Sequence, residues 1–201
     1  MKNKNYFFVM LLVTAFLVLS CQNENPISTS ENESLLKSKL LTGICAFELS
    51  PEEEDGLIHM RLEEKLARDV YIFLDGVYNR QLFSNISESE QIHMNKMLVL
   101  LLRYNIEDPA SNEVGVFYQP EFQQLYNAYI LQGQTSFQEA LLVGETIENL
   151  DINDLEYQLN NVISGNPDIE NVYNNLLAAS QNHLATFLNH INMDVTQPPV
   201  D

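Results

Sequence analysis

Apolar residues recur at alternating spacings of three and four positions along four long stretches of the chain. An α-helix turns once in about 3.6 residues, so this spacing places the apolar side chains of each stretch on one face. Helices with such a face pack together into bundles. The sequence therefore predicts an all-α domain over residues 50–192, followed by a tail over 193–201.

Short signals predict where these helices begin. Some of these signals are residues whose side chains satisfy the free backbone groups at a helix start. Another is a Gly followed by a Pro, which ends one helix and allows the next to begin. Ser87 forms a Ser-x-x-Glu capping pattern with Glu90, and Ser84 and Asn85 are alternative caps for the same helix. A bend is expected near 151–154. The other predicted starts are Ser50 followed by Pro51, Thr135 or Ser136, and Pro167 after Gly165.

The connection between the second and third long helices is much longer than the others. It covers 105–134 and contains a short predicted helix over 121–131, which Pro120 opens. A segment of this length can cross the whole bundle, so that the two flanking helices run parallel. This arrangement is the ferritin-like four-helix bundle with a single crossover, and we expect it for this chain.

Polar residues interrupt each apolar face near its middle. A carboxylate or imidazole that faces a core must be paired, neutralised or bound to an ion. Carboxylate oxygen and neutral imidazole nitrogen are ligands of iron, manganese and zinc. We therefore predict a metal centre in the bundle core. Its candidate ligands are Glu64 on the first long helix, Glu90 and His93 on the second, Glu148 and Asp151 on the third, and His183 on the fourth.

The number of metal ions depends on the fourth long helix. The ferritin-like di-iron plan uses one Glu from each of two helices and Glu-x-x-His from each of the other two, since bridging carboxylates offset the repulsion between two cations. Here Ser180 stands where the second motif has its Glu. Asp151, one turn from Glu148, is the replacement carboxylate that the chain offers. The alternatives are one ion, two ions in an altered arrangement, or none.

A metal-free core is the main alternative to the predicted centre. Lys65 and Arg68 lie on the first helix and could neutralise the carboxylates through salt bridges. The protein would then be a structural or interaction lipoprotein with a degenerate polar core. Tyr71 and Ser180 are expected beside the ligands in either case. Near a redox metal Tyr71 could carry electrons, although aromatic residues at helical spacing usually belong to the core.

Three stretches of the sequence resemble a known family. They are Arg61–Tyr71, Ser89–Met94 and Asn182–Leu184, and they resemble the ferritin-like family known as domain of unknown function 2202. The resemblance covers about 51–191. It implies a ferritin-like bundle, with iron or manganese as the metal and oxidase or peroxide-scavenging activity as in ferritin-like relatives. A more distant similarity to the rubrerythrin pattern Glu-x-x-Ala-Arg-x-x-Tyr involves Glu64, Ala67, Arg68 and Tyr71.

The first 21 residues resemble the signal peptide of a bacterial lipoprotein. Two lysines precede a short apolar run over 6–19, and the sequence LVLSC at 17–21 resembles a lipobox. The resemblance implies cleavage before Cys21 and lipid attachment to its sulfur. The polar segment 22–49 would then tether the domain to a membrane of the bacterial cell envelope. A plain secretory signal with an incidental Cys is the alternative.

The charge and the cysteine content limit the kinds of partner that we expect for this protein. The chain has a formal net charge of −18, and Arg103 is its last basic residue. It lacks the clustered cations that phosphate contacts need, so we expect no nucleic-acid partner. Its two cysteines, Cys21 and Cys45, form no rubredoxin-like pair. Redox chemistry at the predicted centre would therefore need an external electron donor.

Overall fold

The computed structural model describes residues 48–163 and 165–195, and every regular element in these ranges is helical. The prediction of an all-α fold is confirmed. The short helix predicted in the long connection is present and begins at Pro120 as expected. The elements are α1 Pro51–Tyr78, α2 Gln81–Arg103, α3 Pro120–Gly133, α4 Phe137–Tyr157, a π-helical turn Gln158–Val162 and α5 Pro167–Val195.

Helix α1 is surrounded by other helices on several sides. It packs against α2, α3 and α4, while α5 packs against α4 and α2. Every residue from Met60 to Tyr71 is buried as a result. Most surface helices bury only one face, so this part of α1 has no solvent-facing side. Its charged side chains must therefore find partners inside the protein.

Three helices begin where the sequence predicts. Ser50 Oγ accepts a hydrogen bond from the Glu53 backbone N–H at 3.1 Å, and the Glu53 carboxylate accepts one from the Ser50 N–H at 2.8 Å. This reciprocal pair is a capping box at the start of α1. Ser136 caps α4 through its side chain. Helix α5 begins at Pro167, after Gly165 at a φ of 70°.

The predicted start of α2 is wrong. The helix begins at Gln81, and its flanking residue Arg80 makes no side-chain cap. Asn79 adopts a left-handed conformation with a φ of 47°, which ends α1 and leaves only two residues between the helices. Ser87 lies inside α2, where its hydroxyl donates to the Ser84 carbonyl instead of capping a helix end. Glu90 is therefore free of any capping role.

The prediction of a bend near 151–154 is also wrong. Helix α4 continues to Tyr157, and the backbone changes only at the π-helical turn that follows. Asp residues inside a helix commonly disturb it by hydrogen bonding to nearby backbone groups. Here the Asp151 carboxylate accepts from Ser180 on α5, and Asp154 contacts His59 on α1. These tertiary contacts leave the helical backbone intact.

Buried ion pairs attach the long connection after α2 to helix α1. Asp69 is fully buried and accepts hydrogen bonds from Lys65, from Arg68 and from the backbone N–H of Gly115. Lys65 Nζ also donates to the carbonyl of Glu113 at 2.9 Å. Removing one partner of a buried pair leaves an uncompensated charge, so these contacts hold the connection in one path.

Arg61 makes a second attachment of the same kind. Its guanidinium donates to both carboxylate oxygens of Asp108, at 3.0 and 2.8 Å, and to the Met94 carbonyl at 2.6 Å. A paired guanidinium–carboxylate contact is among the stronger hydrogen-bond arrangements in proteins. The cations of α1 are therefore engaged by the connection and by α2.

Two apolar clusters fill the core, and each draws residues from all four long helices. We name them after one member each, the Phe187 cluster and the Tyr173 cluster. Along α1 and α5 the chain passes from the Tyr173 cluster to the Phe187 cluster, and along α2 and α4 it passes the opposite way. Along the inward-facing stripe of each helix, the polar positions predicted as ligands lie between the two clusters.

No helix in the described ranges is long and apolar enough to cross a membrane. The predicted leader, the lipidation site Cys21 and nearly all of the predicted tether 22–49 lie outside the described residues, as does the end of the predicted tail from residue 196.

Gly144 is a site where a single added methyl group should destabilise the fold. A Cβ built there would lie 2.3 Å from the ring of Phe187, which is fully buried against Tyr71 and Phe83. We expect Gly144→Ala to lower the free energy of unfolding by about 1–3 kcal/mol, measured by urea denaturation. Gly76→Ala is the matched control, because no atom lies within 4 Å of its Cβ. A gain in helix propensity should stabilise that variant, and equal effects of both would contradict the prediction.

Candidate metal centre

Five of the predicted ligands converge in the layer between the two apolar clusters. They come from four helices, and four of the five side chains are at most 3% exposed, while the fifth, that of His183, is 12% exposed. The apolar faces of α1, α2, α4 and α5 force this convergence, since each polar position falls on the stripe that packs inward. The five residues are Glu64, Glu90, His93, Glu148 and His183.

The centre consists of two groups of three side chains. The ligand atoms of Glu64, Glu90 and His93 lie within 4.8 Å of one another, and so do those of Glu90, Glu148 and His183. Each group offers two carboxylates and one imidazole, which is a donor set used by iron, manganese and zinc. Glu90 belongs to both groups, so its carboxylate is shared between them.

The two oxygens of Glu90 face different histidines. Its Oε2 lies 2.7 Å from His93 Nδ1, and its Oε1 lies 2.8 Å from His183 Nδ1. His93 Nδ1 is also 3.2 Å from Glu64 Oε2, while His183 Nδ1 is 3.5 Å from Glu148 Oε2. The imidazole rings stack with their centroids 5.8 Å apart. All these nitrogens and oxygens are thus directed into one small volume.

Several atoms of the centre lack a hydrogen-bond partner in the described part of the chain. They are buried, and leaving a polar atom buried without a partner costs about 1–3 kcal/mol. The His183 Nδ1 and Glu90 Oε1 atoms are close together, but their orientation does not form a hydrogen bond. An ion bound between them would satisfy such atoms. The unpartnered atoms are Glu64 Oε1, Glu90 Oε1, Asp151 Oδ1 and His183 Nδ1.

Asp151 and Ser180 form a buried pair beside the two groups. Ser180 Oγ donates to Asp151 Oδ2 at 2.5 Å, and the hydroxyl also lies 3.0 Å from the Leu176 carbonyl. Asp151 belongs to neither group of three. Its carboxylate nevertheless raises the pKa of Glu64 through charge repulsion, although burial is the larger cause. The structure therefore places Ser180 as a partner of Asp151.

Tyr71 supports the second group directly. Its hydroxyl donates to Glu148 Oε1 at 2.6 Å, and the residue is fully buried. The side chain reaches across from α1 to α4, although Tyr71 is two turns from Glu64 along its own helix. This contact places Tyr71 beside Glu148. It leaves Glu148 Oε2 as the oxygen that faces His183.

The cations of α1 do not neutralise the centre. Lys65 and Arg68, which offered a salt-bridged alternative to metal binding, both pair with Asp69. Arg68 also donates to the Gln91 side chain at 2.6 Å. A helix turns by about 100° per residue, so Lys65 lies on a different face from Glu64. Arg68, four residues after Glu64, lies on nearly the same side, but its guanidinium is held by Asp69 and Gln91. Among the described residues, the carboxylates of the centre therefore face histidines, hydroxyl groups and one another.

The pKa values of the carboxyl groups reflect this concentration of negative charge. Burial raises the pKa of Glu148 to about 7, despite the opposing effects of the nearby His183 and of the hydrogen bond from Tyr71. Burial also raises the pKa of Glu64 and Asp151 well above the ordinary range, with neighbouring carboxylates as further causes. A bound cation would act in the opposite direction, because a nearby positive charge favours the ionised carboxylate.

The pKa values of Glu90 and His183 shift in the directions expected of an ion pair. Burial alone would raise the pKa of Glu90, but its contacts with His183 and His93 outweigh burial and lower that pKa to about 2. Burial alone would lower the pKa of His183, but Glu148 and Glu90 outweigh it and raise that pKa to about 10. Without a metal ion, the positive charge of the His183 imidazolium therefore replaces part of the charge that a metal ion would supply.

A second, more exposed group lies outside the core. His59 Nε2 is 3.4 Å from Glu63 Oε1 and 3.4 Å from Asp154 Oδ2. His59 and Glu63 lie four residues apart on α1 and so share one face of that helix. The sequence did not single out Asp154 or Asp69. The spacing of four residues between Lys65 and Asp69 was an available signal for their pairing, whereas nothing in the sequence brought Asp154 to α1.

The fold and the site define a class, an all-α protein with a buried centre of carboxylates and imidazoles. Within that class, the chain belongs to the family described as an uncharacterized protein domain, DUF2202, which matches residues 53–197. The resemblance found in the sequence is thereby confirmed for the family itself. All five converging residues, together with Asp151 and Ser180, fall inside the matched range.

A comparison of sequences and a comparison of structures both find similarity to the same archaeal protein. The chain is 49% identical over 145 residues to the uncharacterized protein MJ0754 of Methanocaldococcus jannaschii, covering 72% of this chain and 77% of that protein. It also resembles the crystal structure of hypothetical protein MJ0754 from Methanococcus jannaschii, with a TM-score of 0.72 and 45% identity over 79% of this chain and 90% of that one. Neither description assigns a function.

The stability of the metal-free protein should fall as the pH rises from 5 to 8. In the folded state the pKa of Glu148 is raised to about 7, so its contribution is present below the unfolded pKa and is lost as pH rises through 7. The raised pKa of His183, about 10, acts in the same direction above pH 6.5. Glu90, with a pKa of about 2, stays ionised throughout.

Thermal unfolding in excess chelator at several pH values measures this dependence. Glu148→Gln should show a smaller fall in Tm than the unsubstituted protein, because one of the titrating groups is gone. Glu156→Gln, at an exposed position of the same helix, is the matched control and should keep the full dependence. A Tm that is constant or rises over this range would contradict the prediction.

Proposed function

We propose that this protein is a ferritin-like metal-binding lipoprotein of a bacterial cell envelope. It holds one or two ions of iron or manganese in its core and acts as an oxidase or a peroxide scavenger, with electrons from an external donor. The observation that carries the proposal is the set of buried, unpartnered oxygen and nitrogen atoms between the two apolar clusters. The remaining support comes from helix direction, from the donor set and from the N-terminal sequence.

The order of the apolar clusters supports a ferritin-like topology. Helices α2 and α4 pass between the clusters in the same direction, opposite to α1 and α5. Two parallel helices in one bundle need a connection that crosses its length. The segment that contains α3 lies between them in the chain and packs against α1 and α4. This pattern favours a four-helix bundle with one crossover.

The donor set fits iron or manganese. Carboxylate oxygens suit hard cations and imidazole suits iron, while the centre contains no Cys ligand. Glu64 and His93 would hold one ion and Glu148 and His183 the other, with Glu90 shared. Such ions supply one-electron chemistry towards dioxygen or peroxide. The chain itself holds Glu148 through Tyr71 and buries the carboxylates of the layer.

The export proposal depends on the N-terminal sequence. A basic start, an apolar run over 6–19 and the LVLSC motif occur in the order that a lipoprotein signal requires. The family match begins only at residue 53. A polar segment before the domain is the arrangement expected of a tethered protein.

Metal content of the purified protein tests the proposal most directly. We expect about one or two irons per chain by mass spectrometry, after purification without chelator and anaerobic loading with Fe(II), followed by oxidation when dioxygen or peroxide is added. His93→Ala and Glu148→Ala should each lower the affinity by at least about tenfold while circular dichroism stays helical. Glu156→Ala is the control that removes an exposed carboxylate from the same helix as Glu148.

Three other outcomes of these metal measurements would change the proposal in defined ways. Metal content that is unchanged in both His93→Ala and Glu148→Ala would place the metal elsewhere. No bound metal in the unsubstituted protein under either condition would favour the metal-free lipoprotein, in which the five residues form a buried hydrogen-bond network. A single iron per chain would assign the loss of the second ion to Ser180, and Ser180→Glu should then raise the content.

A further inference from the structure

A cavity of about 750 Å³ lies beside His183. It is formed where the α1–α2 turn, the start of α4 and the second half of α5 meet. The turn contributes Asn79, Arg80 and Gln81, and α5 contributes His183 and His190. Volumes of this size are typical of small-molecule sites.

The cavity borders the centre at His183. The side chain of His183 is 12% exposed, whereas those of Glu64, Glu90, His93 and Glu148 are at most 3% exposed. His183 is also the member of the centre that lines the cavity. One imidazole therefore separates the cavity from the carboxylate layer. A small molecule that acts at the centre would meet His183 first.

The lining of this cavity has a charge opposite to that of the chain. The protein has 28 acidic residues against 10 basic ones, yet no Asp or Glu lines the cavity. Arg80 does line it, with its guanidinium over the ring of Phe137 at 4.9 Å and no carboxylate partner among the described residues. The remaining polar groups include three side-chain amides, from Asn79, Gln81 and Asn85.

These groups are donors suited to an oxyanion. A guanidinium binds carboxylate or phosphate oxygens through paired N–H groups, and amide N–H groups add neutral donors. The apolar part of the wall is small, consisting of Leu82, Ile86 and Phe137. A compact ligand with charged oxygens therefore fits the lining better than a large apolar one.

We propose that the cavity binds a small oxyanion of the carboxylate or phosphate type and holds it beside the centre. Its closeness to a bound metal rests on the proposed metal function, but the binding of the anion does not. In an acidic protein a local positive site also raises the concentration of anions where they are needed. The charges of Arg80 and of any cation at the centre would act on the ligand from two sides.

The binding step is tested with inorganic phosphate on the metal-free protein. At constant ionic strength, we expect saturable shifts of backbone amide signals in 79–86 and 183–190, measured by nuclear magnetic resonance. Arg80→Gln should weaken this binding by about tenfold or more, since it removes a charge-assisted contact. Lys96→Gln is the matched control, because Lys96 lines a different cavity that contains Asp168 and none of the five converging residues.

The closeness of the anion to the centre is tested after loading with Mn(II). A phosphate bound beside His183 would lie close to the manganese, so its ³¹P relaxation should be enhanced in the unsubstituted protein and in Lys96→Gln. Arg80→Gln should lose the enhancement without losing manganese. Retained manganese shows that the variant still folds, so a lost signal reports on the anion alone.

The outcomes separate the two proposals. Localised, Arg80-dependent phosphate binding to a protein that takes up no metal would uphold the anion site and overturn the metal function. Metal uptake with no localised phosphate shifts would overturn the anion site and leave the metal function standing. Phosphate binding that is equal in Arg80→Gln and Lys96→Gln, or a response to neutral peroxide only, would also overturn the anion site.

Discussion

The burial of four carboxylates in one layer of an apolar bundle is the constraint on which this structure depends. An isolated buried charge is strongly unfavourable, so it must be neutralised, paired or bound to an ion. In the layer between the two clusters, protonation, two histidines and two hydroxyl groups share this task. Atoms with no partner remain even so. A layer of this kind is costly for a purely structural core, and this cost is the physical basis of the proposed metal function.

The ion pairs of Asp69 and the carboxylate layer are two separate sets of buried charges. Asp69 engages Lys65 and Arg68 on one side of α1, while Glu64 lies on another side of the same helix. Both sets of charges are buried because α1 is surrounded in this region. The ion pairs attach the long connection to α1, and they keep cations away from the carboxylate layer. One helix thus supports the fold and the candidate centre with different faces.

His183 connects the centre to the surface. Its Nδ1 faces Glu90 and Glu148, and the residue also lines the cavity that contains Arg80. The cavity has no acidic residue in its wall, although the chain as a whole is strongly acidic. The charges are therefore arranged in order, from a basic cavity through an imidazole to a carboxylate layer. This order gives the candidate centre a defined side from which a small molecule can approach.

The sequence by itself determined the all-α class, the residues that face inward, and several helix starts, because these follow from periodicity and local capping. Glu64, Glu90, His93, Glu148 and His183 could be named in advance since each interrupts an apolar stripe. Only the tertiary structure decided that Tyr71 bonds Glu148, that Ser180 bonds Asp151 and that Lys65 and Arg68 pair with Asp69. Such contacts join residues on different helices or choose among several nearby charges, and spacing along one helix cannot specify them. The start of α2 was decided at Asn79, whose left-handed conformation shortened the turn.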